Sequence, residues 1–140
     1  MMISTRGIYA LRVMIDLAEN QNDEYIPMKE VAARQGLSLK YLERIMPVLT
    51  KDGLVEAVHG KGGGYKLNKK PSEYTALEIL RLTEGDLAPV SCLESGAIPC
   101  SKTKECRTLP MWNDLYKLII DYFDGITLED LVEKEKINKD

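Results

Sequence analysis

Apolar residues recur every three or four positions through most of this chain, which is the spacing of amphipathic helices. This pattern predicts six helices, and capping residues and glycines mark where each begins or ends. The predicted helices start at Ser4 or Thr5, cover residues 28–35, follow Ser38, run from Thr75 to Gly85, run from Pro110 to Gly125, and follow Thr127 as a short last helix. We expect Pro47 to kink or end the third helix and the charged tail from 135 to 140 to fray.

A different pattern separates the third helix from the fourth. Residues 54–58 alternate between apolar and polar side chains, residues 65–67 suit a return strand, and four of the six residues between them are glycine. This pattern predicts a small β-hairpin with a tight glycine turn.

The second and third helices are joined by a very short turn. Small Ala32 lets the helices approach, Gly36 suits a left-handed turn, and Leu42 packs the third helix on the core. This spacing indicates a helix-turn-helix whose third helix enters the major groove of DNA. With the hairpin behind it, the predicted fold class is mainly α: a winged helix-turn-helix plus a long C-terminal helix.

The exposed start of the third helix and the glycine-rich tip of the hairpin carry side chains and bare amides that can reach phosphates and base edges. The candidate DNA-binding residues are Ser38, Lys40, Tyr41, Glu43, Arg44, His59, Lys61, Gly62 and Gly63.

Charge is unevenly distributed, although the formal net charge is only −3. Residues 34–70 hold eight basic and three acidic side chains, whereas residues 84–140 hold seven basic and twelve acidic ones. A basic centre with an acidic remainder suits a DNA-binding face and a separate assembly region. We divide the chain into a DNA-binding domain (1–85), a cysteine loop (86–108) and a dimerisation region (109–140).

Other functional classes find little support. No apolar run approaches the roughly 18 residues that span a bilayer, and the first residues lack a signal-peptide core, so we expect a cytoplasmic protein without a membrane partner. The one histidine, His59, lies in the hairpin, and no nucleophile–base pair or carboxylate pair is recognisable. We therefore expect no enzyme activity.

The three cysteines, Cys92, Cys100 and Cys106, fall within fifteen residues. An odd number in a cytoplasmic chain argues against a disulfide framework, so the group indicates a metal site or redox chemistry. Thiolates bind iron–sulfur clusters and zinc, and a thiol switch or inert cysteines remain alternatives. Nearby basic residues would lower the pKa of these thiols; they are Lys102, Lys104 and Arg107.

The fifth helix is long and strongly apolar on one face. That face is composed of Trp112, Leu115, Tyr116, Ile119, Tyr122 and Phe123. It either packs on its own domain or forms a homodimer, which a regulator with two DNA half-sites needs.

Four stretches together resemble one family. They are residues 3–11, 36–43, 60–65 and 112–131, and they are similar to the IscR-type winged-helix regulators, the group of IscR, NsrR, RirA and CymR. The resemblance implies a homodimer built on the long helix and, in many members, an iron–sulfur cluster, 2Fe-2S or 4Fe-4S, held by three cysteines before that helix. The cofactor and metal ligands would be Cys92, Cys100 and Cys106.

The chain departs from the family pattern at the fourth ligand. Leu109 and Ile8 stand where members have a histidine or a carboxylate ligand, and His59 replaces a frequent wing arginine. The sequence thus predicts a repressor that binds an operator and senses cluster status, iron, redox or nitric oxide stress. The alternative is a cluster-free repressor controlled by a partner protein or by thiol redox chemistry.

Overall fold

The computed structural model describes residues 3–97 and 105–139 of the chain. Within these ranges the chain forms six α-helices and one two-stranded sheet. The elements, in chain order, are α1 (Thr5–Glu19), α2 (Met28–Gln35), α3 (Leu39–Lys51), β1 (Val55–Val58), β2 (Gly64–Leu67), α4 (Ala76–Glu84), α5 (Leu109–Asp124) and α6 (Leu128–Lys139).

Hydroxyl caps fix where three of the helices begin, as the sequence predicts. The Oγ atoms of Ser4 and Ser38 and the Oγ1 of Thr75 each accept a hydrogen bond from the amide three residues ahead, at 3.3, 3.1 and 3.1 Å. These bonds satisfy amides that a helix start leaves without intrahelical partners. At the other end of α2, Gly36 takes the left-handed conformation with φ 64° and stops the helix.

Two helices continue past points where the sequence favours an end. Helix α3 does not end near Pro47 but continues to Lys51. Pro47 lies on the exposed side of α3, so the carbonyl that loses its partner at residue 43 remains open to water. Helix α6 likewise continues to Lys139, through the segment predicted to fray.

The main core is formed where α1 packs against α2, α4 and α6, and where α3 packs against α2 and α4. Its fully buried side chains include Met14 and Leu17 of α1, Leu42 and Ile45 of α3, and Leu128 of α6. Burial of such residues contributes about 25 cal/mol per Å² of apolar surface. Leu128 belongs to this core, and α6 packs against α1.

The hairpin is an antiparallel pair in which Val55 faces Leu67 and Val58 faces Gly64. Tyr65 also exchanges two backbone hydrogen bonds with Ile26, at 2.8 and 2.9 Å, so the extended segment before α2 extends the sheet. The turn needs glycine: a Cβ on Gly63 would collide with the backbone carbonyl oxygens of residues 58 and 60. The predicted hairpin is therefore confirmed, anchored on both sides.

Candidate DNA interface and cysteine site

Helix α3 presents a polar face to solvent because its apolar residues recur with the helical period on the opposite side. Lys40, Glu43 and Arg44 are exposed, whereas Leu42 and Ile45 are buried. Ser38, at the start of α3, uses its Oγ to cap the helix, and its hydroxyl proton remains available to donate. Four of the five predicted α3 residues thus lie on the exposed start of one helix.

Tyr41, the fifth predicted residue of α3, has a different environment. Its ring is half-buried and makes an edge contact with the Tyr9 ring of α1, with centroids 5.4 Å apart. The guanidinium of Arg12 lies 5.2 Å from the centre of the same Tyr9 ring. Tyr41 therefore braces α3 against α1, an interaction that sequence spacing does not reveal.

A buried carboxylate fixes α2 on α1. The Asp16 side chain is 2% exposed and forms an ion pair with Arg34 at 2.8 Å. Arg34 donates from both Nε and an Nη atom, and Gln35 Nε2 donates to Asp16 at 2.9 Å. The bond to Asp16 is the main cause that raises the pKa of Arg34. One charge of the basic stretch is thus neutralised within the protein.

The hairpin and α3 flank an open cleft of about 350 Å³. Glu43 of α3 lines it on one side and His59 with Gly60 and Gly63 on the other, while Lys29 of α2 also contributes. His59, Lys61 and Gly62 are exposed, and Gly63 is half-buried. The cleft brings the two predicted DNA-binding regions together, and Lys29 is a basic residue there that the sequence analysis missed.

The cysteine loop is described only in part. Cys92 is exposed in a short 3-10 turn (Ser91–Leu93), Cys106 is half-buried just before α5, and both thiols are free. Cys100 lies outside the described residues, as do Lys102 and Lys104. Within residues 3–97 and 105–139, no three histidine, cysteine or acidic side chains converge as metal ligands.

The Cys106 thiol has a pKa below its ordinary value. The side chain and the backbone of Thr108 are the main causes that lower its pKa, and a backbone hydrogen bond with Leu109 adds to them. The Cys106 sulfur lies 3.4 Å from Thr108 Oγ1. The predicted lowering of the thiol pKa is thus correct for Cys106, although its main cause is hydrogen bonding at the start of α5 rather than nearby cations. Because thiolates are the ligand form of cysteine, this donor fits metal coordination.

Asp86 fastens the first part of the cysteine loop to α5. Its carboxylate accepts hydrogen bonds from the amide of Ala88 at 2.9 Å, from the amide of Ser95 and from the hydroxyl of Tyr116 at 3.0 Å. The bond from Ser95 is the largest of the causes that lower the pKa of Asp86. The segment that carries Cys92 is therefore held on the same helix that Cys106 precedes.

The predicted single face of α5 is in fact two faces. Ile119 and Phe123 pack on a small cluster beneath the helix, which contains Leu77, Leu80 and Leu87. Four other apolar residues point outwards, with these exposed fractions: Met111 53%, Leu115 38%, Leu118 66% and Tyr122 62%. The helix thus packs on its own domain and still presents an apolar stripe to solvent.

Three features together define the class of this fold. They are two helices joined by a short turn at a left-handed glycine, an exposed basic second helix, and an anchored glycine-rich hairpin. The fold is that of the winged helix-turn-helix DNA-binding proteins. In the described part of the chain, no helix has the length and apolar character needed to cross a bilayer.

Comparison with known proteins identifies the family within this class. The Rrf2 profile, "Iron-dependent Transcriptional regulator", matches residues 3–134, so the chain belongs to the Rrf2 family. The HTH-type transcriptional regulator IscR of Photorhabdus laumondii is 34% identical over 98% of this chain and 82% of its own length. The resemblance to IscR-type regulators is therefore confirmed. Because these relatives are transcriptional regulators, the prediction that this DNA-binding regulator is not an enzyme is confirmed as well.

Solved structures agree with this assignment. CymR, the global cysteine regulator of B. subtilis, is 34% identical with a TM-score of 0.78, and the match covers 96% of this chain and 98% of that one. T. potens IscR is 33% identical with a TM-score of 0.71, over 96% of this chain and 88% of its own. The winged-helix fold class is confirmed.

Proposed function

We propose that this regulator is a homodimeric repressor that acts on operator DNA in the cytoplasm and is controlled at its three cysteines. The observation that carries the proposal is the single cleft shared by the exposed start of α3 and the wing, the hairpin of residues 55–67. Helix α3 would enter the major groove while the wing reaches the neighbouring minor groove. The DNA contacts would come from Ser38, Lys40, Tyr41, Glu43, Arg44, His59, Lys61, Gly62 and Gly63.

Division of roles follows from the geometry. Lys40 and Arg44 lie one turn apart on the exposed side of α3, and an arginine suits bidentate hydrogen bonding to guanine. Glu43 faces the cleft, where it would accept from a cytosine amine or disfavour other bases. Within the described residues, no salt bridge neutralises Lys40, Arg44 or Lys61, in contrast to Arg34. Their charge is free for phosphates and bases.

The first experiment tests base recognition by α3. A DNA site is selected from a random duplex library with the wild-type protein, and affinity is then measured for Arg44→Ala and for Arg81→Ala. Arg81 is the matched control because it is an exposed arginine on α4, away from the cleft. We expect Arg44→Ala to lose about 1–3 kcal/mol of specific binding and Arg81→Ala to bind like wild type. Equal affinities for all three proteins would refute the proposed role of α3.

The cysteines are proposed to hold an iron–sulfur cluster with Cys92, Cys100 and Cys106 as ligands. The free, accessible Cys92 and the lowered pKa of Cys106 fit thiolate ligation. When bound, a cluster would supply a link between the loop and α5 that depends on iron and redox state. Asp86 and Tyr116 already hold the loop on α5, so these residues would carry a change in the loop to the helix.

The second experiment measures iron, acid-labile sulfide and the visible spectrum after purification without oxygen. We expect wild type to be coloured and the Cys92→Ala, Cys100→Ala and Cys106→Ala variants to be bleached. Ser72→Ala is the control because Ser72 is an exposed residue outside the loop. A colourless, metal-free protein that still binds DNA would favour the alternative: control by thiol chemistry, for which Cys106 is suited, or by a partner protein.

A further inference from the structure

Tyr74 lies at the base of the wing, between β2 and α4, and its side chain is fully buried. Its hydroxyl donates to the Leu54 carbonyl at 2.7 Å and accepts from the amides of Asn68 and Lys69, both at 3.1 Å. Leu54 precedes β1, and Asn68 and Lys69 follow β2. One buried hydroxyl therefore joins both strands at the point where the wing leaves the domain.

Surrounding groups keep this hydroxyl in place. Asn68 Oδ1 lies 3.0 Å from it, and the Asn68 side-chain amide donates to the Gly53 carbonyl. The ammonium of Lys69 lies 4.6 Å from the centre of the Tyr74 ring. Burial is the main cause that raises the pKa of Tyr74, so the hydroxyl stays protonated and keeps its donated bond at neutral pH.

The backbone of the same segment holds the junction between α5 and α6. The Tyr74 carbonyl accepts from the Leu128 amide at 3.0 Å, and the Ala76 amide donates to the Ile126 carbonyl at 2.8 Å. Thr75 and Thr127 form an antiparallel bridge between these two bonds. The residue whose side chain fixes the base of the wing thus also bonds, through its main chain, to the first residue of α6 at the α5–α6 junction.

We propose that Tyr74 is the positioning residue that joins the wing to the α5–α6 junction, so that the placement of α5 sets the placement of the wing on DNA. The inference rests on the proposed function, because it takes the wing to be a DNA contact. A ligand that binds one placement of α5 more tightly than another therefore also shifts the population of wing placements. The coupling element is physical and contiguous: α5, the junction, residues 74–76 and both strands.

The test compares two substitutions that each remove one tyrosine hydroxyl. Tyr74→Phe removes the buried hydroxyl, while the control Tyr25→Phe removes one that donates to Glu56 Oε2 at 3.3 Å on the exposed side of β1. Because an unpaired buried partner is costly, we expect Tyr74→Phe to speed hydrogen exchange at the amides of β2 and to weaken binding to the selected DNA by about threefold or more. Tyr25→Phe should change binding by less than about twofold. If Tyr74→Phe exchanges and binds like wild type, the proposal fails.

A double-mutant cycle separates positioning from general destabilisation. In a Lys61→Ala background the wing contact is already reduced, so Tyr74→Phe should weaken DNA binding much less than it does in wild type. Equal fold losses in the two backgrounds would show that Tyr74 does not act through the wing. Asn68→Ala, at the exposed base of the wing, provides the same measurement if Tyr74→Phe does not fold.

The link to the junction needs its own pair of variants. Thr127→Ala removes the Oγ1 that accepts from the Asp130 amide at 3.0 Å, and Thr50→Ala removes a hydroxyl bond of similar length in α3. We expect faster exchange in β2 for Thr127→Ala alone, and unchanged β2 exchange in that variant would overturn the coupling. This hydrogen-exchange measurement needs no DNA, so it tests the coupling independently of the proposed function. The proposed function would be refuted separately, if the wild-type protein bound no duplex.

Discussion

Glycine ends two helices of this protein, but the backbone needs glycine at only one of these positions. Gly36 ends α2 with φ 64°, a backbone conformation that an L side chain adopts only at a cost. Gly125 ends α5 with φ −87° and ψ −2°, where other residues are accommodated. In the sequence both glycines predict a helix end in the same way, and only the backbone angles distinguish them.

We predict that Gly36→Ala lowers the free energy of unfolding by about 1–2 kcal/mol because alanine must adopt the left-handed conformation. Nothing lies within 4 Å of a Cβ at this position, so backbone conformation rather than a clash is the cause. Urea unfolding followed by circular dichroism measures the change. Gly125→Ala is the control, with an expected change near zero, and equal losses in both variants would contradict this explanation.

Arg34 and Tyr41 show why a residue list from sequence is incomplete. Arg34 belongs to the basic stretch, yet it is paired with the buried carboxylate of Asp16. Tyr41 is a predicted DNA contact on α3, yet its ring braces α1 through Tyr9. A residue type at a given helical position indicates a surface, whereas its partner on another helix decides what it does there.

At the scale of elements, one carboxylate makes the polar attachment of the cysteine loop to α5, beside the apolar contact of Leu87. Asp86 accepts from loop amides and from Tyr116 of α5. These bonds stabilise the ionised form, and they hold the pKa of Asp86 below its ordinary value. Its contribution to stability is therefore complete above the pKa of the unfolded chain and is lost as the pH falls through the lower pKa of the folded protein.

We predict that Asp86→Asn lowers the thermal midpoint by a few degrees at pH 7, and that the difference from wild type shrinks as the pH falls below the ordinary aspartate pKa of about 3.9. Below that pH the unfolded chain binds a proton while the folded carboxylate, whose pKa is lower, is protonated only at still lower pH. Thermal unfolding at several pH values, followed by the fluorescence of Trp112 on α5, provides the measurement. Asp121→Asn, at an exposed position of α5, should show no such difference. A deficit of Asp86→Asn that does not change with pH would contradict the role of the ionised carboxylate.

At the scale of the whole molecule, the outward stripe of α5 gathers four of the large exposed apolar residues of the described chain on one helix. Leu118 and Tyr122 are 66% and 62% exposed, one turn apart, in a helix whose other side is packed. Such a stripe is typical of a protein interface. A second copy of the chain would cover it and would place two recognition helices for two half-sites.

We predict that Leu118→Glu raises the dissociation constant of the proposed homodimer by about tenfold or more, because it would place a charge in the apolar contact proposed there. Lys117→Glu introduces the same residue one position earlier, at an exposed polar site, and should leave the dimer intact. Sedimentation equilibrium over a range of concentrations measures both. Monomers of Leu118→Glu should also lose affinity for two-half-site DNA, and a dimer as stable as wild type would place the interface elsewhere.

The sequence by itself determined the elements and the class of this protein. Apolar periodicity, hydroxyl caps and the glycines at 36, 85 and 125 act on near neighbours in the chain, so they specify helices, the hairpin and the helix-turn-helix without knowledge of the rest. The same local rules leave a kink or an end open at Pro47, and only the packed domain decides that this residue faces water and that α3 continues to Lys51.

Only the tertiary structure decided which distant groups meet. Asp16 with Arg34, Asp86 with Tyr116, and the Tyr74 hydroxyl with the carbonyl of Leu54 are contacts between separate elements. The division of α5 into a packed side and an exposed side also depends on where α4 lies beneath it. No pattern in the sequence encodes these pairings locally, because hydrogen bonds and burial depend on distances that exist only after the helices have packed.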